Sequence, residues 1–177
     1  IRDRLRSRGL GDVYKRQSVV NNSAVIFTEV DNTKPFTFTA KVQPEFTETG
    51  TYSAGVIYAY ENDTHCQKLC FEQDEYGDHR VVSVRTLGTS DDNNHQAITA
   101  PYVYMRLSSD GTTLGSYFSE DGKIWRMARL YKNDFPEKLL IGISSQSPKD
   151  NEHTCLFTEV SLTDKPVADF RKGNIAE

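Results

Sequence analysis

The sequence predicts an all-β chain folded as a sandwich or jelly roll, and three observations predict it. Short runs rich in Val, Ile, Tyr, Phe and Thr alternate apolar and polar residues with a period of two. Asp110-Gly111 and Asp121-Gly122 are dipeptides that close tight hairpins, and the stretch Asp74 to His79 can form another tip. No stretch longer than about ten residues keeps a helical period. Strands joined by tight turns bury their apolar faces best as two packed layers.

The elements follow in order. Phe36 to Val42 places Phe36, Phe38, Ala40 and Val42 on one face. In Ala54 to Tyr60, Ile57 and Ala59 face the core if Tyr58 and Tyr60 face out. Cys66 to Asp74 sets Leu69 and Phe71 against Cys66, Lys68, Cys70 and Glu72. In Arg80 to Thr86, Arg85 faces out if Val82 and Val84 face in. In Tyr102 to Leu107, Val103, Met105 and Leu107 are core, leaving Tyr102, Tyr104 and Arg106 outside. Thr113 to Phe118, Lys123 to Tyr131, Leu139 to Ser144 and Cys155 to Leu162 continue the pattern.

The outward set is therefore Tyr58, Tyr60, Lys68, Glu72, Arg85, Tyr102, Tyr104 and Arg106. Aromatic rings interleaved with charges on one sheet face suit a sugar. The rings offer a platform to C–H faces, and the charged groups bond hydroxyls. A solvated face with ordinary cross-strand Tyr pairs has the same pattern, and alternation does not say whether these strands share a sheet.

The first seventeen residues read differently. They have no helical face, strand alternation or apolar anchor. Back-translated, Asp12 to Gln17 matches a transposon end used in sequencing libraries, and Ser7 to Gly11 the adapter joined to it. Residues 1–17 are accordingly expected to be a disordered, non-native segment, with a sandwich over 18–163 and a loose polar tail over 164–177. The chain carries 21 basic and 25 acidic residues. The first seventeen hold six basic and two acidic ones, so without them the formal charge deepens from −4 to −8. Such an acidic domain suits neither nucleic acid nor an anionic membrane, and no apolar run is long enough to span a bilayer.

Cysteine usage is sparse and odd: Cys66, Cys70 and Cys155. Along a strand, Cys66 and Cys70 would lie about 13 Å apart, beyond the ~7 Å a disulfide allows. All three are expected to be small buried residues. This points to a reducing compartment, and a cytoplasmic location is the expectation.

The run from Phe36 to Leu162 resembles a known family. It reads FTFTAKVQPEF, YSAGVIYAYEND, CQKLCFE, VVSVRT, TSDD, VYMRLSSDGTTLGSYFSEDGKIWRMARLY, IGISSQSP and FTEVSL in succession. This order is similar to the domain of unknown function 1349 family, which includes YesU-like bacterial proteins and fungal regulators of enolase. The resemblance implies a concanavalin A-like sandwich and no firmly established activity. Gly55, Lys68, Glu72, Ser90, Asp91 and Trp125 stand where the family pattern places them. Two positions depart from it: Thr64-His65-Cys66 holds no Trp, and Leu87 replaces an Asn. The family domain also begins with further strands before SAVIFTEV, so this sandwich is expected to lack its first strands and to expose an edge.

Catalytic motifs are scarce. Glu72 and Asp74 sit two residues apart, about 6.6 Å on a strand, a spacing a glycosidase pair allows. The neighbouring turn makes a solvated edge the better reading. Asp91, Asp92, Asn93 and Asn94 could give oxygen ligands to Ca²⁺, but a turn needs the same residues. No metal or other cofactor is expected. The sequence has no HExxH, GxSxG, P-loop or GxGxxG. Three functions remain: non-catalytic carbohydrate binding through one sheet face, an intracellular regulator that binds a metabolic enzyme, or a weak glycoside hydrolase.

Overall fold

Alternation becomes two stacked sheets in the computed structural model, which describes residues 3–8, 23–149 and 152–175. Among the described residues twelve strands follow one another: β1 (Asp3–Arg8), β2 (Val25–Asp31), β3 (Phe36–Pro44), β4 (Ala54–Asn62), β5 (His65–Gln73), β6 (His79–Leu87), β7 (Thr89–Ala97), β8 (Val103–Ser109), β9 (Thr113–Ser119), β10 (Arg126–Lys132), β11 (Lys138–Gln146) and β12 (Glu152–Thr163). They form one sheet in the order β1-β12-β3-β8-β9-β10 and a second in the order β2-β11-β4-β5-β6-β7. All pairings are antiparallel. The expected all-β sandwich of two antiparallel sheets is the fold. Among the described residues no helix is long and apolar enough to cross a membrane.

The core lies between the sheets. Phe38, Ala40, Val42, Met105 and Leu107 come from the first; Ile57, Leu69, Phe71, Ile141 and Ile143 come from the second. Burying a side chain of this size stabilises by about 1.5–3 kcal/mol. The anticipated turns close as Asp-Gly tips. Gly111 and Gly122 adopt φ of 90° and 73°, and the Asp110 carboxylate accepts the backbone N–H of Thr112 and Thr113.

Four expectations change. First, Val82 and Val84 leave the core. Val81 packs between the sheets, so period two sends Val82 and Val84 to the outer face and turns Ser83 and Arg85 inward. A run of three valines with one serine satisfies either phase. Second, Thr89 to Ala97 is a strand, not a loop. It pairs with β6 on one side only, and an edge strand without a buried face can be polar on both sides. Third, Asp3–Arg8, inside the segment expected to be disordered, runs antiparallel along β12 with Leu5 opposite Cys155. Backbone pairing is nearly indifferent to side chains, so an open edge accepts whatever extended segment reaches it. Fourth, the C-terminal tail is docked on the first sheet. Val167 is buried and its N–H donates to Ser108 Oγ at 2.9 Å. Arg106 Nη1 donates to the Gly173 carbonyl at 2.6 Å, and Tyr117 donates to the Phe170 carbonyl at 2.8 Å.

Candidate functional site

Sheet register builds a cleft on the outer face of the second sheet. Lys68, Cys70 and Glu72 alternate with Gln67, Leu69 and Phe71 on β5, so when Leu69 and Phe71 enter the core the other three face outward. Val84 lies beside Lys68 on one side and Tyr58 on the other; Val82 and Val56 flank Cys70. Asp92 and Asn94 on β7 extend the same two rows. Gln146 on β11 is joined through Ala54 to the row of Glu72. The cleft measures about 530 Å³, within the range of small-ligand sites. Its lining includes Tyr52, Lys68, Glu72, Ser90, Asp92 and Gln146, over an apolar strip of Cys70, Val82 and Val84.

Burial shapes the chemistry. Lys68 is only 4% exposed and Gln146 only 3%. Gln146 Nε2 donates to Cys70 Sγ at 3.9 Å, which leaves Oε1 as an acceptor without a donor. Burial pushes the Glu72 carboxyl up to about 8, and Asp92, Asp74 and Glu75 reinforce the shift while Lys68 opposes it. At neutral pH Glu72 is therefore mostly the protonated acid, a donor as well as an acceptor. Asp74 behaves oppositely. Burial alone would raise it, but N–H groups of Tyr76 and Asp78 and the Arg80 guanidinium outweigh burial and hold it below the usual carboxylate range. Tyr52, at the cleft wall, has a φ of 65°, a conformation that costs a non-glycine residue about 1–3 kcal/mol. Lys149 Nζ lies 4.6 Å from the centre of its ring.

The eight residues expected to point outward are divided between the sheets. Lys68 and Glu72 line the cleft. Tyr58 and Tyr60 share its sheet face but pack with Phe27, at ring separations of 6.1 and 5.1 Å. Arg85 points inward: its guanidinium lies 3.9 Å from the Tyr131 ring centre and donates to Asp134 at 2.6 Å. Tyr102, Tyr104 and Arg106 belong to the other sheet's outer face. Lys41 Nζ sits 4.0 Å over Tyr102, Tyr104 donates to Glu159, and Arg106 stacks on Trp125 at 3.6 Å beneath the C-terminal tail. Tyr52, Cys70, Val82, Val84 and Gln146 were not singled out for the site. Nothing in their local sequence marks them, because register across four strands brings them together. Of the positions matching the family pattern, Lys68, Glu72 and Ser90 converge on the cleft.

Cys66, Cys70 and Cys155 are buried and in no disulfide. Among the described residues no three His, Cys, Asp or Glu side chains are grouped to hold a metal ion. The Glu61–His65–Asp134 contacts, at 2.6 and 3.2 Å, tie the β4–β5 turn to the loop after β10.

Two stacked antiparallel sheets with a cleft on the outer face of one define the class of protein, a β-sandwich. The chain belongs to the family described as protein of unknown function (DUF1349), whose model matches residues 11–165. It is similar in structure to a functionally unknown protein from Saccharomyces cerevisiae, with 22% identity, a TM-score of 0.81, and coverage of 92% of this chain and 88% of that one. It is also similar to xylan β-1,4-xylosidase from Bacillus halodurans C-125, with 15% identity, a TM-score of 0.69, and coverage of 90% and 32%. An alginate lyase from Pseudomonas aeruginosa follows, with 11% identity, a TM-score of 0.52, and coverage of 76% and 66%. The chain thus spans about a third of the xylosidase, and at these identities the likeness is one of fold. A comparison with curated protein sequences found no match.

Proposed function

We propose that this protein binds carbohydrate without cleaving it, in the cleft on the outer face of the second sheet. One observation carries the reading: donors and acceptors converge around an apolar strip in a cleft of about 530 Å³. Lys68 and protonated Glu72 donate, Asp92 accepts, and Val82 and Val84 offer a surface to C–H groups. The fold shared with a xylosidase and an alginate lyase supports a sugar as the ligand class without identifying one.

The test is isothermal titration of the full chain against a glycan panel that includes xylo-, gluco- and manno-oligosaccharides. Lys68→Ala is expected to weaken binding at least tenfold, since a hydrogen bond from a charged group contributes about 1.5–3 kcal/mol. Tyr104→Ala, on the opposite sheet, is expected to leave affinity unchanged. No binding across the panel sinks the reading, and specific co-purification with a metabolic enzyme would replace it with the regulatory one. Turnover of an oligosaccharide that is lost in Glu72→Gln would replace it with hydrolysis.

A further inference from the structure

The outer face of the first sheet holds a buried cation that the carbohydrate cleft does not use. We propose that this face is a second binding site, keyed on Arg106 and closed by the C-terminal tail as a releasable strap, and that it takes an acidic peptide in place of the tail. The site is separate from the cleft of the carbohydrate reading, which lies on the other sheet.

Two independent features point to it. The first is the charge balance at Arg106, which is only 6% exposed. Its Nε donates to Thr39 Oγ1 at 2.9 Å, its Nη1 donates to the Gly173 carbonyl at 2.6 Å, and its guanidinium lies 3.6 Å from the centre of the Trp125 ring. All of these partners are neutral, and among the described residues no carboxylate forms an ion pair with the cation. A buried charge ordinarily has an opposite charge beside it. A carboxylate in the place of the Gly173 carbonyl would supply one, and the guanidinium fork matches its two oxygens. The second feature is how the tail is held. Thr37 donates to the Lys165 carbonyl at 2.6 Å, Tyr117 donates to the Phe170 carbonyl at 2.8 Å, and Ser108 Oγ accepts the Val167 N–H at 2.9 Å. With Arg106, these side chains of β3, β8 and β9 all grip main-chain atoms. Among the described residues no side chain of the tail hydrogen-bonds the sheet; Asp169 accepts the Arg171 N–H within the tail itself. Bonds to carbonyls and amides are open to any peptide that presents them. The tail adds shape at two points, the buried Val167 and Gly173, whose φ of 74° and approach to the Tyr117 ring leave no room for a Cβ. A face that bonds a peptide backbone and holds a cation among neutral partners fits an acidic peptide better than it fits its own tail. The tail occupies it because tethering gives a high effective concentration.

The experiment compares the full chain with Gly173→Ala, which sets a Cβ against the Tyr117 ring and releases the strap. Trp125 is the sole tryptophan, so its fluorescence reads this face directly. A Gly-Glu repeat peptide and a Gly-Gln repeat peptide of equal length are titrated at physiological ionic strength. Amide exchange over 165–175 is expected to quicken in Gly173→Ala while that of β8 and β9 stays slow. If β8 and β9 lose protection as well, Val167→Ser, which removes the buried anchor, takes its place. The Gly-Glu peptide is expected to bind the released chain at least tenfold more tightly than wild type, and more tightly than the Gly-Gln peptide does. Arg106→Gln in the released chain should abolish the preference for Glu. Unchanged exchange in the tail overturns the strap. Equal affinity for the two peptides, no binding of either, or a preference that survives Arg106→Gln overturns the site. Each of these results leaves the carbohydrate reading standing, because glycan affinity in the cleft is expected to be the same in Gly173→Ala and wild type.

Discussion

Gly55 and Glu72 show how single residues commit this sandwich. Gly55 lies on β4, where a Cβ would run into Cys155 Sγ and Val42 Cγ1 of the facing sheet. Its lack of a side chain sets how closely the two layers approach. Gly55→Val is expected to destabilise by about 1–3 kcal/mol or more, the usual cost of overpacking, and urea denaturation would show it as a lower midpoint. Glu72 carries a different commitment. Its folded-state carboxyl sits near 8, against 4.5 for the ordinary group. Between those values the folded state holds a proton that the unfolded chain has released, so stability falls as pH rises from about 4.5 to 8 and levels off above. Glu72→Gln removes that proton uptake. Wild type should lose on the order of 2–3 kcal/mol across this window relative to the variant, after allowing for the residue's partial solvent contact. Parallel pH-dependent unfolding curves for the two proteins would refute this.

Among the elements, the C-terminal tail carries the largest consequence. Its composition is polar, yet Val167 is buried and the backbone carbonyls of Lys165, Phe170 and Gly173 accept from Thr37, Tyr117 and Arg106. Gly173 holds a φ of 74°, and a Cβ there would meet the Tyr117 ring. These bonds satisfy groups that the outer face of the first sheet would otherwise present to water. Burial pushes the Arg106 guanidinium down to about 10, and its hydrogen bonds and the Trp125 face compensate the cation. Deleting residues 164–177 is expected to cost about 2–4 kcal/mol, from one buried Val and one charged hydrogen bond, while leaving glycan affinity intact. A truncated chain as stable as the full one would show the docking to be incidental. The edge strand β7 illustrates why such elements evade sequence reading. Thr89 to Ala97 has no apolar phase of its own, and pairing to β6 alone makes it a strand.

At the scale of the whole molecule, the sequence by itself determined the fold class. Alternation in Phe36 to Val42, Ile57 and Ala59, Leu69 and Phe71, and Val103 to Leu107 marked the buried faces, and those residues are buried. The Asp-Gly dipeptides marked the hairpin tips, because their backbone conformation is a local matter. Lys68 and Glu72 were also legible as outward residues, since their phase on β5 follows from two strong core positions. What only the tertiary structure decided is which strands are neighbours. Tyr102, Tyr104 and Arg106 have the same alternation as Tyr58 and Lys68, yet β8 lies in one sheet and β4 and β5 in the other. The phase of Val81 to Arg85 was settled by whichever valines the opposite sheet could receive. The tail's docking was settled by carbonyl groups that no side-chain pattern encodes. Period two fixes which face a residue occupies relative to its own strand; only packing fixes which sheet, and therefore which cleft, that face belongs to.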